Sequence, residues 1–370
     1  MSDTVHDALV IGAGQAGLSA SYHLTRMGIE HLLLDANSRP GGAWQHRWDA
    51  LTMADVHRVA DLPGSRLPPA ADTARANRAV PAYFAAYERD HRLPVVRPVS
   101  VRRVEPDAVG FLVSGVGEAG PAQWRSRTLV NATGTWTRPF VPSYPGQRTF
   151  AGTQLHTVDF PGPAWFAGHR IVVVGGGASA VQFLGMLVSV VGAENLVWAT
   201  RTEPDWRAGS FTPEIGRAVI AQVQEQVMAG LTPRSVVSVT GLRLREQESE
   251  AERLGVYARR RPMFSRIEPG GVRWDDPEPA GAVFEPADVI LWATGFRAAV
   301  DHLAPLHLRS PHGGIQLAAD GTSAVADPRV QLVGYGPSAS TIGANRAGRS
   351  AARGVRTALQ AKHPGPAADG

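Results

Sequence analysis

The chain has 370 residues, 44% of them hydrophobic and 19% charged, a balance that suits one large folded core or two ordinary ones rather than disorder. It has no cysteine, which excludes a disulfide framework, a zinc-thiolate site, an iron–sulfur cluster and a redox-active CxxC pair. The formal charge of +4 is carried almost entirely by arginine; Lys362, the one lysine, lies in the tail, so the fold offers neither a Schiff-base lysine nor a P-loop lysine.

The apolar pattern predicts a strand at Ala8–Ile11, a glycine turn, a helix from Gln15 to Met27 and a strand at His31–Leu34. This is the β-turn-α-β opening of a doubly wound sheet. A helix near Val80–Asp90, a strand around Val101 and a hairpin of Phe111–Val113 with Arg127–Asn131 lead into Asn131-Ala132-Thr133-Gly134. Pro139, Pro142 and Pro145 stiffen the exit.

The pattern then restarts. Arg170–Val174 reads as a strand, Gly175-Gly176-Gly177 as a turn, Ser179 to about Val190 as a helix and Asn195–Thr200 as a strand. This is a repeat of one supersecondary unit, not a solenoid. Between 204 and 283 only a helix over Pro213–Met228 stands out, and Arg259, Arg260 and Arg261 read as a solvated surface turn. Asp288–Gly295 gives a buried strand ending in Ala-Thr-Gly, and a strand at Val330–Val333 precedes a helix from about Thr341 to Leu359.

Gly12-Ala13-Gly14-Gln15-Ala16-Gly17 is GxGxxG directly after a strand. Its first glycine allows the tight turn, its second the approach of a pyrophosphate and its third close helix–strand packing, with the helix N-terminus facing the phosphates. Asp35 ends the next strand, placed to accept from a ribose 2′-OH, which suits FAD. Gly175, Gly177, Ala178, Ser179 and Ala180 form the second turn, where the following strand ends in Thr200-Arg201 instead of an acid. Arg201, with Arg207 as a second candidate, suits the 2′-phosphate of NADPH. Two such sites imply hydride transfer from NADPH to flavin.

The chain resembles the flavin-containing (class B) monooxygenases, including their small bacterial and plant YUCCA-like members, over nearly its whole length. Gly41-Gly42-Ala43-Trp44 with Arg47-Trp48-Asp49-Ala50-Leu51 is similar to that family's flavin-wrapping GGxW…xWxxL segment. Phe150 to Phe160, with Gly152 and His156, is similar to its FxGxxxHxxx(F/Y/W) fingerprint, and the two Ala-Thr-Gly segments to its domain crossovers. Gly334-Tyr335 stands where disulfide reductases carry Gly-Asp.

The resemblance implies an α/β fold of two Rossmann-like dinucleotide-binding domains, the NADPH domain (158–295) inserted into an FAD domain (1–157 and 296–362), with 363–370 a disordered tail. It implies FAD contacts from Gly42, Ala43, Trp44, Trp48, Leu51, Val101, Ala132, Thr133 and Gly134. It also implies a C4a-(hydro)peroxyflavin that oxygenates a small molecule, with retained NADP⁺ shielding it from water.

His156 is expected at the hinge near NADP⁺. Asp55 and His57 are candidates for contact with the flavin or its peroxide, Asp55 as a protonated donor or as a base towards an amine. Phe160 stands where the ketone-oxidising branch has Trp, which favours nitrogen or sulfur oxygenation. The alternatives are Baeyer–Villiger oxygenation, an NADPH oxidase or flavin reductase, and a non-catalytic nucleotide sensor. The expected partners are a small-molecule substrate and O2, with no metal, nucleic acid or membrane; a homo-oligomer is left open. The short polar residues 1–6 and the lack of an apolar run long enough to span a bilayer give the expectation of a cytoplasmic protein.

Overall fold

A computed structural model describes residues 4–56, 59–206, 213–233, 242, 244, 248–275 and 283–361. His57, Arg207, Lys362 and the tail 363–370 lie outside the described residues. The chain forms two compact units, one of Met1–Thr135, Arg217–Val236 and Ala298–Gly370, the other of Trp136–Gly216 and Val237–Arg297.

The first unit is built on a seven-stranded sheet. Its strands are β1 (Val5–Ile11), β2 (His31–Leu34), β3 (Val95–Val96), β4 (Val99–Asp107), β5 (Gly110–Gly117) and β6 (Gly120–Asn131), in the order β3-β2-β1-β6-β5-β4. β1, β2, β3 and the C-terminal half of β6 run parallel, while β4, β5 and the N-terminal half of β6 form an antiparallel meander. The chain's last strand, Val330–Leu332, returns to pair with Leu129–Asn131 of β6. Helix α1 (Gln15–Arg26) buries Leu18, Ala20 and Leu24 with Ala8, Val10 and Leu33, and helix α2 (Ala76–Asp90) adds Val80, Tyr83, Phe84 and Tyr87 to that core. The other face buries Leu9, Ile11, Phe111, Leu129 and Leu332.

The second unit has a five-stranded parallel sheet. β7 (Thr153–His156), β8 (Ile171–Val174), β9 (Leu196–Thr200), β10 (Arg261–Pro262) and β14 (Val289–Trp292) lie in the order β10-β9-β8-β14-β7. β8 and β14 read IVVV and VILW and are buried at every residue, as strands covered on both faces must be. β11 (Arg266–Glu268), β12 (Gly271–Arg273) and β13 (Phe284–Pro286) make a small antiparallel sheet whose Ile267 and Val272 join the same core. Helix α3 (Ala178–Val191) follows β8; α4 (Pro213–Met228) and the short α5 (Ser249–Arg253) come between β9 and β10. The final helix, α6 (Thr341–Gln360), belongs to the first unit.

Three expectations change. The second unit begins at Trp136, not after residue 157, because β7 pairs with β14 through Thr153↔Val289 to His156↔Trp292. Residues 217–236 fall in the first unit, whose core takes Val227. The arginine triplet is also no free surface turn: Arg261 starts edge strand β10, with its guanidinium 3.5 Å from the centre of the Trp274 ring.

Candidate functional site

In the first unit the turn after β1 is shaped by its own sheet. Gly12 has φ +103, and a Cβ there would stand 2.6 Å from the Ala132 carbonyl oxygen. A Cβ on Gly17 would stand 1.8 Å from the Gly12 carbonyl oxygen. Gly12 N–H donates to Leu34 and Ala132 N–H to Ile11, which locks turn and crossover together.

Gly14 differs. A Cβ there meets nothing within 4 Å. Gly14 is also the N-cap of α1 and, having no side chain, caps none of the first-turn N–H groups. α6, by contrast, is capped by Ser340 Oγ accepting from Gly343 N–H at 3.1 Å. A glycine that packing does not require, at a bare helix N-terminus, fits a pyrophosphate cradle.

The structure brings Gly42 to this turn: a Cβ on Gly42 would stand 2.8 Å from Gly14 Cα. Gly42 opens the 3-10 turn Gly42–His46 that carries Ala43 and Trp44, and Trp44 packs on the core beneath α1. Leu51 is buried, and its carbonyl accepts from Ala76 N–H at the start of α2. Trp48 is half-buried beside it. Arg47 is half-buried too; burial pushes its guanidinium down to about 10, with the Trp44 ring 5.8 Å away. Val101 packs on the opposite face of the sheet, with the cluster around Leu9 and Phe111.

Asp35 is buried at the end of β2, with Asn37 Nδ2 donating to Oδ1 at 3.2 Å and Arg97 Nη2 to Oδ2 at 3.3 Å. Each carboxylate oxygen keeps capacity for a further donor. The crossover is held by Thr133 Oγ1 donating to Ala299 O at 2.6 Å and Ala299 N–H donating to Gly134 O. His302 Nε2–H donates to Asn131 Oδ1 at 2.8 Å; burial pushes this imidazole down to about 4.

The second unit repeats the plan. Gly175 has φ +142, and a Cβ there would stand 2.2 Å from the Ala293 carbonyl oxygen; a Cβ on Gly177 meets nothing within 4 Å. Gly177 is the N-cap of α3, again without a side-chain cap, and of the first-turn residues Ala178, Ser179 and Ala180 the last donates its N–H to Gly177 O. Trp198, buried on β9, donates its indole N–H to Gly175 O at 2.8 Å. Thr294 Oγ1 donates to Phe140 O, and Phe140 N–H to Gly295 O.

Past the end of β9, Arg201 is exposed. Arg260 reaches the same strand end from the residue before β10: Nη1 donates to Thr200 Oγ1 at 3.1 Å and Nη2 to Glu203 Oε1 at 3.1 Å. The sequence pattern missed Arg260 because no motif links it to a strand sixty residues earlier. Only the parallel pairing of β10 with β9 brings it there.

His156 and Asp55, expected near the reaction, and Phe160, which marks the branch of the family, each have local partners. His156 has both ring nitrogens committed: Nδ1 accepts from Val158 N–H at 3.3 Å, and Nε2–H donates to Gly295 O at 3.0 Å. Burial lowers its pKa, and its two ring hydrogen bonds brace the segment against the Ala-Thr-Gly crossover. Asp55 Oδ2 accepts from both the backbone N–H and the hydroxyl of Thr52, at 3.0 and 2.7 Å, closing its own turn. The Thr-x-x-Asp spacing is the signal that could have revealed this. Phe160 is a core residue, stacked on Phe166 with centroids 5.3 Å apart and tilted against Phe183. Among the described residues no cluster of His, Cys, Asp or Glu could hold a metal, and no helix is long and apolar enough to cross a membrane.

The sequence profile of the pyridine nucleotide-disulphide oxidoreductases matches residues 9–334. A flavin-containing monooxygenase from Stenotrophomonas maltophilia is 34% identical and superimposes with a TM-score of 0.79, covering 96% of this chain and 99% of its own. The uncharacterized oxidoreductase CzcO of Bacillus subtilis is 29% identical over 178 residues, 48% of this chain and 50% of that protein. The indole-3-pyruvate monooxygenase YUCCA1 of Oryza sativa subsp. japonica is 29% identical over 189 residues, 48% of this chain and 44% of that protein. The chain thus spans about half the length of the curated relatives it matches. With two glycine turns, two crossovers and a solved relative alike from end to end, the chain belongs to the flavin-containing monooxygenases, within the broader pyridine nucleotide-disulphide oxidoreductase family.

Proposed function

We propose that this protein is an FAD- and NADPH-dependent monooxygenase that places one atom of O2 on a nitrogen or sulfur centre of a small molecule and releases the other as water. The observation that carries the reading is the pair of uncapped helix N-termini behind Gly14 and Gly177, one followed by a buried acid and the other by an exposed arginine. The absence of any cysteine supports oxygen, not a disulfide, as the electron acceptor.

FAD would be held at the first turn by the N–H groups at the start of α1, by Asp35 and by the Gly42–Trp44 segment. NADPH would be held at the second by the start of α3, with Arg201 and Arg260 for its 2′-phosphate. Bound FAD supplies the electron transfer and the activation of oxygen; the protein binds and orients. The imidazoles of His156 and His302 brace the crossovers through their hydrogen bonds to Gly295 and Asn131. Preference for nitrogen or sulfur over a ketone rests on Phe160 in the fingerprint segment; being buried, Phe160 acts through packing and not by touching substrate.

The test measures NADPH oxidised, O2 consumed, H2O2 released and product formed by the FAD-loaded protein against amine, sulfide and ketone panels. An amine or sulfide should suppress H2O2 and yield one oxygenated product per NADPH. H2O2 equal to NADPH with every compound would establish an oxidase; product from ketones alone would move the reading to Baeyer–Villiger chemistry.

A further inference from the structure

Behind the end of β2 lies a buried charge cluster with two acids and one base. Asp35 is 4% exposed and Glu88, on α2, is 9% exposed. Arg97, after β3, holds Glu88 with both terminal nitrogens: Nη1 donates to Oε2 at 2.6 Å and Nη2 to Oε1 at 2.8 Å. Nη2 also reaches Asp35 Oδ2 at 3.3 Å. The remaining groups facing Asp35 are Asn37 and, through it, His46, whose Nε2–H donates to Asn37 Oδ1 at 2.7 Å; Arg39 lies near His46.

Burial opposes the charge on Arg97, yet Glu88 and then Asp35 hold its pKa above the ordinary arginine value. The guanidinium therefore stays charged. Its short bidentate pair goes to Glu88, and its longer, single bond goes to Asp35. Without Glu88, Arg97 would neutralise Asp35 and offer a cation to whatever meets that strand end. With Glu88, the cluster has a formal charge of −1. An isolated buried negative charge is costly unless donors reach it, and ribose hydroxyls are donors, whereas a 2′-phosphate is an anion.

We infer that Glu88 and Arg97 are the positioning and specificity residues of the first nucleotide site: Arg97 orients Asp35 towards ribose hydroxyls, and Glu88 keeps the cluster anionic so that it rejects a 2′-phosphorylated adenosine. The inference rests on the reading of the Gly12–Gly17 turn as the FAD site. It explains, from residues far outside the glycine motif, how one chain with two similar turns keeps FAD and NADPH apart.

The experiment uses flavin-free protein at pH 8. FAD affinity is read from flavin fluorescence, and displacement of FAD is measured with 5′-ADP and with 2′,5′-ADP. Wild type should be displaced far better by 5′-ADP. Glu88→Gln, with a formally neutral cluster, should narrow that preference about tenfold, on the order of one unit charge a few ångströms from the phosphate. The double variant Glu88→Gln with Arg97→Gln restores a charge of −1 and should return the discrimination against 2′,5′-ADP towards the wild-type value, while its affinity for FAD itself falls because Asp35 has lost the guanidinium that orients it. An unchanged preference in Glu88→Gln, or a double variant that behaves like Glu88→Gln, overturns the inference, because a merely structural pair would not track charge in this order. Should wild type fail to bind FAD in competition with 5′-ADP, the FAD reading of the first turn itself fails, a separate outcome.

Discussion

Gly12 presses against the Ala132 carbonyl, and Gly175 against the Ala293 carbonyl. Gly12 N–H donates to Leu34 as Gly175 N–H donates to Ala199; Ala132 N–H donates to Ile11 as Ala293 N–H donates to Val174. Where each turn meets its own sheet, the two units are the same object. They part at positions that face away from the sheet. The first strand end carries a buried acid locked into an ion-pair cluster, and the second carries an exposed arginine with a second arginine beside it. Packing dictates the shared positions, and the ligand is left to dictate the others. Specificity is therefore written outside the glycines.

The sharpest way to break that division is to add a methyl group on each side of it. Gly12→Ala and Gly175→Ala force a positive φ on alanine and drive Cβ into a carbonyl, and each should cost on the order of 3 kcal/mol or more of stability. Gly14→Ala and Gly177→Ala place Cβ in open space, with φ −80 and −106, which alanine tolerates. These two should leave the melting temperature of the ligand-free protein unchanged while weakening FAD and NADPH respectively by about tenfold or more. A stability loss at Gly14 equal to that at Gly12 would remove the distinction.

The next effect concerns the histidines that brace the crossovers. His302 has a folded pKa of about 4, depressed by burial, against about 6.5 when unfolded. A depressed value means that its contribution to stability is fully present above the unfolded pKa and is lost as pH falls from about 6.5 towards 4. The loss should reach about 2 kcal/mol, discounted because the ring is not fully enclosed. Urea unfolding of wild type and His302→Asn between pH 7.5 and 4.5 reads it: the variant should be less stable at pH 7.5 and should lack part of the acid slope. His156 shifts in the same direction in the second unit, also from burial.

The parallel strands and glycine turns were legible because both depend on local signals: continuous apolar runs such as IVVV and VILW, and glycines at fixed offsets. What escaped was set by pairing at long range. β7 reads TQLH, too short and polar to announce a buried sheet's edge, so its membership in the second unit appears only through its register with β14. Glu88, Arg97 and Arg260 belong to no spacing pattern. Asp55 and His156 stand in segments that resemble the family's flavin-proximal and hinge motifs, and each also closes a turn at its own position. A polar residue in a motif satisfies its neighbours' hydrogen bonds before it is available for chemistry.

Arg201→Gln sharpens the comparison at the second strand end. Losing an exposed arginine from a phosphate contact should raise the KM for NADPH about tenfold and the KM for NADH less than about threefold. Arg260→Gln should act in the same direction, but more weakly, because part of its charge is already engaged by Glu203. Equal effects on both cofactors would mean that these arginines support the strand end and do not read the 2′-phosphate.

The smallest effect tests why the third turn position differs. Gly17 cannot carry a side chain, since its Cβ would overlap the Gly12 carbonyl, whereas Ala180 sits buried at the equivalent place in α3. If steric fit alone separates them, Ala180→Gly gives up only helix propensity and a buried methyl, below about 2 kcal/mol, with NADPH binding retained. Gly17→Ala should instead behave like Gly12→Ala. On that account α1 lies too close to its own turn to admit a methyl, since a Cβ on Gly17 would stand 1.8 Å from the Gly12 carbonyl oxygen. Thermal melts of Ala180→Gly and Gly17→Ala decide it: similar losses would mean that the two helices approach their turns alike, and that the alanine in the second motif is neutral variation.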